Sequence, residues 1–493
     1  MTSELRETHI SWVVLTGDRA YKIKKPLTFP FLDYGTLERR RECCEEEVRL
    51  NRRFAPGIYL GVLEIAAGGH PFEYAVEMRR YDERATLAAR LGELQPSDLV
   101  AIGRAVAGFH AEAPPAEGDR RLTSVVEETL ATLESLGARV HDLARFYRSA
   151  LGALEPELDR RRRAGLVRDG HGDLRAEHIL LGDPIRAVDG LEFDPSLRIA
   201  DVAYDLAFLV MDVARRDDEL ARALVRGYRA AGGDAGSDRL LALLCSIRAL
   251  VRAKVDLLRA AQLTGAAADE RAARGRELLA LAERFAWRAR LPRVVCVIGH
   301  AASGKSTLAE ALATVSGRTM LSSDRTRKLR AGVDPYEYAG AQAYGDAESR
   351  EVYAELGRRA ARGAGGVIVD ATFRRRSDTD AFVELVPDAG WVVCDAPREV
   401  LIERARLRAS RDDSVSDAGP EIVAAELARH GRIEPPRTPI ARLETIRPVA
   451  ELLAQLAAAL DAGFYGSDRQ VSPDAGRPGT GQAPNMTVDA SQR

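Results

Sequence analysis

The chain has 493 residues, enough for two or three domains that each bury a core of their own. Acidic and basic residues nearly cancel to a net charge of −2, which excludes the general pull toward nucleic acid or anionic membranes that a strongly basic chain has. Five cysteines, Cys43, Cys44, Cys245, Cys296 and Cys394, lack metal-ligand spacing, and no stretch reaches the ~18 uninterrupted apolar residues of a membrane helix, so a soluble, cytoplasmic protein with reduced thiols is expected.

The opening, 8 to 80, is strand-rich. Val13, Val14 and Leu15 lead through Gly17-Asp18 to Ala20, Tyr21 and Lys22, which reads as two strands joined by a tight turn. Lysine is scarce, six of 72 basic residues, and Lys22, Lys24 and Lys25 cluster here. In a chain that uses arginine for ordinary surface charge, lysine marks a place where a compact ammonium is needed. A helix over 38–54 follows, with three successive glutamates that helical geometry tells apart. Glu46 shares a charged stripe with Arg39, Glu42, Arg49 and Arg53 and should face water. Glu47 shares a stripe with Cys43, Leu50 and Phe54 and should face inward. An inward carboxylate needs a partner; Lys22 is preferred, with Lys24, two residues on and on the same strand face, as the alternate.

Helical patterns cover 97–113, 121–164, 201–231 and 238–288, with Arg161-Arg162-Arg163 reading as a solvated helix face. Among them stands His171-Gly172-Asp173-Leu174-Arg175-Ala176-Glu177-His178, followed sixteen residues after Asp173 by Asp189, each beside a short apolar run. Two such acids suit one carboxylate for a substrate hydroxyl and one for a metal. Here the sequence resembles the aminoglycoside phosphotransferase group of kinase-like enzymes, whose catalytic loop reads His-Gly-Asp-x4-Asn. The resemblance implies an N-terminal α+β protein-kinase-like fold, Asp173 as catalytic base, Asp189 as Mg2+ ligand, and a nucleotide held by Lys22 paired with Glu47. His178 stands where the motif has asparagine. Imidazole is a poor Mg2+ ligand, so this metal position is lost, bridged by water or suited to Mn2+; the other reading is a core histidine replacing a structural amide. Asp201 and Asp205 resemble the group's downstream acids and read as supports of the catalytic loop, or else as plain helix caps.

After a junction at 288–292, apolar runs at 293–298, 318–322, 366–370 and 391–395 alternate with helical patterns, the signature of a parallel α/β sheet. The first run opens into GHAASGKST, a complete phosphate-binding loop. Gly299, Ala302, Ser303, Gly304, Lys305, Ser306 and Thr307 are the expected nucleotide contacts, with Lys305 on the terminal phosphates and Ser306 offering its hydroxyl to Mg2+. Asp324 and Arg327 follow the second run, placed to take a proton from a substrate hydroxyl and to bind its anionic group. Asp370 ends the third run as a partner of Ser306 around Mg2+. Arg404 and Arg408, with Arg411 as alternate, lie on a helix entering a polar lid. The set resembles the small-molecule and polynucleotide 5′-hydroxyl kinases of the P-loop class, including gluconate-kinase-like enzymes.

As a whole the chain resembles bifunctional aminoglycoside phosphotransferase-like/ATP-binding proteins. That implies a kinase-like domain over 1–288, an α/β P-loop NTPase with a parallel sheet over 292–462, and, from composition, a disordered tail over 465–493. It further implies ATP with Mg2+, or Mn2+ in the N-terminal site, and transfer of the γ-phosphate to a small hydroxylated molecule, expected to be a sugar or sugar derivative. Two alternatives stand beside this: an N-terminal half that serves as a non-catalytic ligand sensor, and a nucleic-acid 5′-hydroxyl kinase, which the near-neutral charge disfavours. Nothing in the sequence sets the oligomeric state.

Overall fold

A computed structural model describes residues 3–29, 32–118, 122–410, 417–429 and 431–464. The tail from 465 and Arg411 lie outside the described residues. The N-terminal lobe is an antiparallel sheet of β1 (Ser3–Glu7), β2 (Ser11–Thr16), β3 (Arg19–Lys24), β4 (Tyr59–Ala67) and β5 (His70–Arg79), in the order β1-β2-β3-β5-β4. Gly17, at φ 56°, supplies the left-handed turn that joins β2 to β3 in register Thr16 to Arg19. Helix α1 (Leu37–Phe54) is capped by Thr36, which accepts from the Arg39 N–H at 3.2 Å, and buries Cys44 and Val48 against Tyr74 and Val76 of β5.

Seven longer helices then alternate with loops: α2 (Pro96–Glu112), α3 (Leu122–Ser135), α4 (His141–Arg163), α5 (Val202–Ala214), α6 (Asp218–Ala230), α7 (Asp238–Ala261) and α8 (Ala266–Arg290). Three expected long helices are pairs, because local breakers outweigh the unbroken apolar pattern. Gly137 at φ 80° and Gly265 at φ 63° turn the chain between α3 and α4 and between α7 and α8. Between α5 and α6, Asp217 starts a new helix by accepting from the N–H groups of Glu219 and Leu220 at 2.7 and 3.0 Å. Arg161 does not face solvent: it is 5% exposed and forks onto Asp201 with two bonds of 2.8 Å, since Asp201 is itself buried and needs a cation. Glu46 is half-buried and accepts from Arg198 at 2.6 Å, because the segment before Ile199 packs over its stripe.

The C-terminal sheet is parallel throughout: β6 (Val294–Ile298), β7 (Thr319–Ser322), β8 (Val367–Asp370), β9 (Gly390–Asp395) and β10 (Ala441–Glu444), in the order β7-β8-β6-β9-β10. Along β6, Val294, Cys296 and Ile298 enter the core on one face with Trp391, while Val295 and Val297 enter the other with Leu308 and Leu456. A central strand covered on both faces is apolar throughout, which is why it was legible. β10 was not: Ala-Arg-Leu-Glu is a short edge strand with one buried side chain. The last described helix, Val449–Phe464, returns to the N-terminal helices, where Asp461, 2% exposed, accepts from Arg290 at 2.8 Å and Arg145 at 3.1 Å.

Helices α2 and α6 touch backbone to backbone through two glycines. A Cβ on Gly103 would lie 2.1 Å from the Leu224 carbonyl oxygen, and one on Gly227 2.1 Å from that of Val100. Gly227→Ala is therefore expected to cost about 1–3 kcal/mol or more in denaturant unfolding, through forced separation of the pair; an unchanged midpoint would refute the close packing.

Candidate active sites

In the N-terminal domain, three segments far apart in sequence meet at a buried carboxylate. Glu47 on α1 is fully buried, and its two oxygens take one lysine each: Lys22 Nζ at 2.8 Å and Lys24 Nζ at 2.7 Å. The two lysines are both engaged because they are two residues apart on β3 and share one face. They divide the loop beyond. Lys22 also donates to Asp189 at 2.7 Å, while Lys24, fully buried, donates to Glu192 and to the Tyr34 hydroxyl. Burial alone would raise the Glu192 carboxyl, but Lys24 and Lys22 outweigh it and hold its pKa below the usual range. Lys22 above all lowers Asp189. Asp189 adopts φ 62°, a conformation uncommon outside glycine, and its N–H donates to the Tyr59 hydroxyl at 3.0 Å.

The loop bearing Asp173 is fixed by buried bonds. The Asp205 carboxylate accepts from the N–H groups of His171 and Gly172 at 2.8 and 3.0 Å. Burial opposes its charge, but His110 at 3.4 Å, His171 and Arg248 hold its pKa down at about 2. Asp201 caps α5 through the Ala203 N–H and pairs with Arg161, so the two acids act differently: Asp205 grips the loop and Asp201 starts the helix. His171 Nε2–H donates to the Val188 carbonyl at 2.9 Å, tying the Asp173 loop to the Asp189 loop, and burial lowers its pKa.

Asp173 lies under a cation. Arg175 donates from Nε to both of its oxygens, at 3.1 and 3.0 Å, and from Nη2 at 2.9 Å. Burial would raise the Asp173 carboxyl; Arg175 and His178 overcome it, and its pKa falls below the usual value. His178 Nδ1–H donates to the Asp173 carbonyl at 2.8 Å, and Nε2 accepts from Arg175 Nη2 at 3.3 Å and lies 3.7 Å from Asp189. Asp189 and His178 thus face each other across a polar gap. Among the described residues no three His, Cys, Asp or Glu side chains converge to hold a metal without other ligands.

In the C-terminal domain, the loop from Gly299 to Gly304 follows β6 at the sheet edge where strand order reverses, the place where open parallel sheets bind ligands. A Cβ on Gly299 would lie 2.5 Å from both the Cys394 carbonyl oxygen and Ser303 Oγ, so only glycine fits. Ala302 and Gly304 take φ 65° and 81°, a backbone path that turns successive N–H groups to one side. Lys305 is 8% exposed and opens α9 (Lys305–Ser316). Ser306 Oγ donates to Asp370 Oδ2 at 2.7 Å. The other Asp370 oxygen is buried without a partner, and burial pushes the carboxyl above its ordinary range despite Lys305. An orphaned buried oxygen beside a hydroxyl fits an oxygen-preferring cation such as Mg2+.

A cavity of about 840 Å3 opens here. Lys305, Ser306, Thr307, Asp324, Asp370, Arg404 and Arg408 all line it. Arg404 is held by Thr445, at Oγ1 (3.1 Å) and at the carbonyl (2.6 Å), and Thr445 Oγ1 donates in turn to the Ser303 carbonyl at 2.6 Å. Arg408 donates to the Ala418 carbonyl at 2.6 Å; burial lowers its pKa, and no carboxylate pairs with it among the described residues. Arg327 is the exception. It does not line the cavity: its guanidinium donates to the Ala343 carbonyl and to Ser349 Oγ at 3.3 Å and lies over the Tyr344 ring at 4.6 Å. The Ala343 carbonyl and Ser349 hold the long side chain on that side, and Arg325 lines the cavity instead. Thr445, Glu192, Arg175 and Arg325 escaped sequence reasoning; only Glu192, in the run Asp189-Gly190-Leu191-Glu192, carried a signal.

Residues 294–433 match the AAA domain family. The solved gluconokinase from Sinorhizobium meliloti 1021 is 23% identical, with 36% of this chain and 97% of that one covered and a TM-score of 0.28. A choline/ethanolamine kinase family protein from Mesorhizobium loti is 17% identical, with 58% and 92% covered and a TM-score of 0.39. Uncharacterized protein Rv2004c of Mycobacterium tuberculosis is 33% identical over 460 residues, 86% of this chain and 90% of its own.

The buried ion network gives a stability prediction. Glu47→Ala leaves Lys22 with Asp189 and Lys24 with Glu192 but removes the shared counter-charge, so a loss of about 3–5 kcal/mol is expected in urea unfolding. Glu192 adds a pH dependence. Its folded pKa is depressed, so its contribution is present above the unfolded carboxyl pKa and is lost as pH falls through the folded one; stability of the wild type should drop on acidification, and less steeply in Glu192→Gln. On identity and coverage, the chain belongs to the family of the mycobacterial protein Rv2004c, and its C-terminal parallel sheet carries the phosphate loop within the stretch that matches the AAA domain family.

Proposed function

We propose that the protein is an ATP-dependent phosphotransferase with two nucleotide sites, each transferring a γ-phosphate to the hydroxyl of a small molecule in the cytoplasm. The observation that carries this reading is the Ser306–Asp370 pair with its unpartnered oxygen, set at the mouth of a cavity that also holds Lys305, Asp324 and two arginines. Ser306 and Asp370 would hold Mg2+ or its waters, and the ion would supply charge neutralisation at the phosphates. Lys305 and the loop amides bind the phosphates, Asp324 accepts the acceptor's proton, and Arg404 and Arg408 exclude water and balance charge on the transferring group. In the N-terminal domain the same division of labour falls to Lys22 for the phosphates, Asp189 with His178 for Mg2+ or Mn2+, and Asp173 as base. Arg327 serves by holding the turn beside Asp324.

The surroundings of Asp173 favour one class of acceptor. A pocket of about 180 Å3 beside it is lined by Arg175, Arg215, Arg216, Arg252 and Arg274 against Glu177 and Asp212. Arg175, Arg215 and Arg274 pair with Asp173, Glu277 and Asp256, whereas among the described residues no carboxylate pairs with Arg216 or Arg252, and these two leave the pocket positive. An anionic acceptor, such as a sugar acid or sugar phosphate, fits it; a cationic aminoglycoside does not. The positive field also keeps Asp173 ionised as an acceptor of protons, and an anionic acceptor that draws Arg175 away would free the carboxylate.

ATP consumption should be measured over sugars, sugar acids, sugar phosphates, aminoglycosides and 5′-hydroxyl oligonucleotides. Lys305→Ala is expected to lower turnover at the C-terminal site by about 100-fold or more, and Asp173→Ala to abolish turnover of the anionic acceptor at the other. Loss in Lys305→Ala with full activity in Asp173→Ala would make the N-terminal domain a sensor, and background rates throughout would overturn the kinase reading. In Arg175→Gln the cation that holds Asp173 down is gone while burial remains. The acid limb of kcat/KM against pH should then move to higher pH, and an unmoved limb would remove Asp173 as the base.

A further inference from the structure

Away from both candidate sites, a cavity of about 570 Å3 lies between α6 and α7 of the N-terminal domain and the edge of the C-terminal sheet where its strands begin. Arg293, Arg318 and Gly366 each stand just before a strand, so this edge is opposite the phosphate loop, roughly 15 Å away along five residues of strand. The floor is apolar, with Val225, Leu241 and Phe285, whereas eight lining residues are arginine and two are aspartate. Three of the arginines have carboxylates: Arg288 on Asp218 at 2.6 Å, Arg229 on Asp238 at 2.8 Å and Arg290 on Asp461 at 2.8 Å. Among the described residues no carboxylate pairs with Arg222, Arg226, Arg293 or Arg318. Arg318 is 9% exposed; it donates to the carbonyls of Arg288 and Leu291 at 3.1 and 3.0 Å, and its Nε is buried with no acceptor.

Glycines keep the space open. A Cβ on Gly366 would lie 2.7 Å from Arg318 Nε, and one on Gly365 3.2 Å from a terminal nitrogen of Arg222. Arg222 on α6 thus reaches over the backbone of the other domain. Gathering cations at a partly dehydrated site is unfavourable without a counter-charge, and among the described residues no carboxylate supplies it to Arg222, Arg226, Arg293 or Arg318. The two structural features, surplus guanidinium and an apolar floor, suit a ligand with both an anionic head and an apolar body.

We propose that this interdomain cavity is a binding site for a metabolite-sized organic phosphate, its phosphate on Arg222, Arg226 and Arg318 and its apolar part over Val225, Leu241 and Phe285. Because the arginines come from both domains, bound ligand fastens the helical domain to the base of the P-loop sheet. The site stands independently of either phosphotransferase reading.

Phenyl phosphate is a suitable probe, titrated calorimetrically into the full chain with excess MgADP present. Saturable binding is expected, weakened at least about tenfold in the Arg222→Gln/Arg226→Gln double variant, as loss of charged hydrogen bonds implies. Inorganic phosphate, lacking the apolar body, should bind wild type at least tenfold more weakly. Equal affinity of the variant, equal affinity for inorganic phosphate, or no saturable binding would each overturn the proposal. Phenylglyoxal labelling of the wild type, mapped on peptides, makes the test independent of how the variant folds: phenyl phosphate should protect Arg222 and Arg226, and unchanged labelling would refute the site.

Discussion

The N-terminal domain is organised around one buried carboxylate. Glu47 cannot be left unpaired in the interior, and its two oxygens take two lysines from a single strand face. Those lysines then bond Asp189 and Glu192, which belong to a loop more than 160 residues away. Strand β3, helix α1 and that loop therefore cannot separate without exposing an uncompensated charge to an apolar surround. The electrostatic requirement that fixes the lobes is the same one that places a lysine beside a candidate metal-binding aspartate. Stability and site geometry share their residues here.

The C-terminal domain solves a similar problem with backbone rather than side-chain charge. Its parallel sheet brings the ends of β6, β7 and β8 side by side, so Lys305, Asp324 and Asp370 converge although they span 66 positions of sequence. The phosphate loop holds its shape through close approach, with Gly299 pressed against the Cys394 carbonyl and Thr445 bonded to the Ser303 carbonyl. Asp370 keeps one oxygen unpaired, a cost that the fold tolerates where a cation is expected to sit. The final helix closes the arrangement by sinking Asp461 between Arg145 and Arg290 of the preceding domain.

Much of this was legible in the chain itself, and the reasons differ by element. β6 and β8 announced themselves because strands buried on both faces are continuously apolar. Glu47 was separated from Glu46 by helical periodicity, and its full burial follows that pattern. Glu46 and Arg161 went the other way, because periodicity knows only one helix at a time and cannot anticipate Arg198 or Asp201 arriving from elsewhere. Helix breaks at Gly137, Asp217 and Gly265 were missed for a related reason: each is a local backbone event inside an apolar pattern that continues across it.

The sequence by itself determined the chemistry that depends on contiguous backbone. A phosphate loop is a nine-residue object whose glycines, lysine and serine act on neighbours, and a His-Gly-Asp turn is likewise local. Only the tertiary structure decided what those groups meet. It placed Arg175 across Asp173, gave Glu47 both lysines rather than one, drew Arg327 out of the cavity toward the Ala343 carbonyl and put Arg325 in its place. It also gathered arginines of two domains around one crevice. Charge and burial act through space, and the spacing of residues along a chain does not specify which distant group will share a desolvated volume with them.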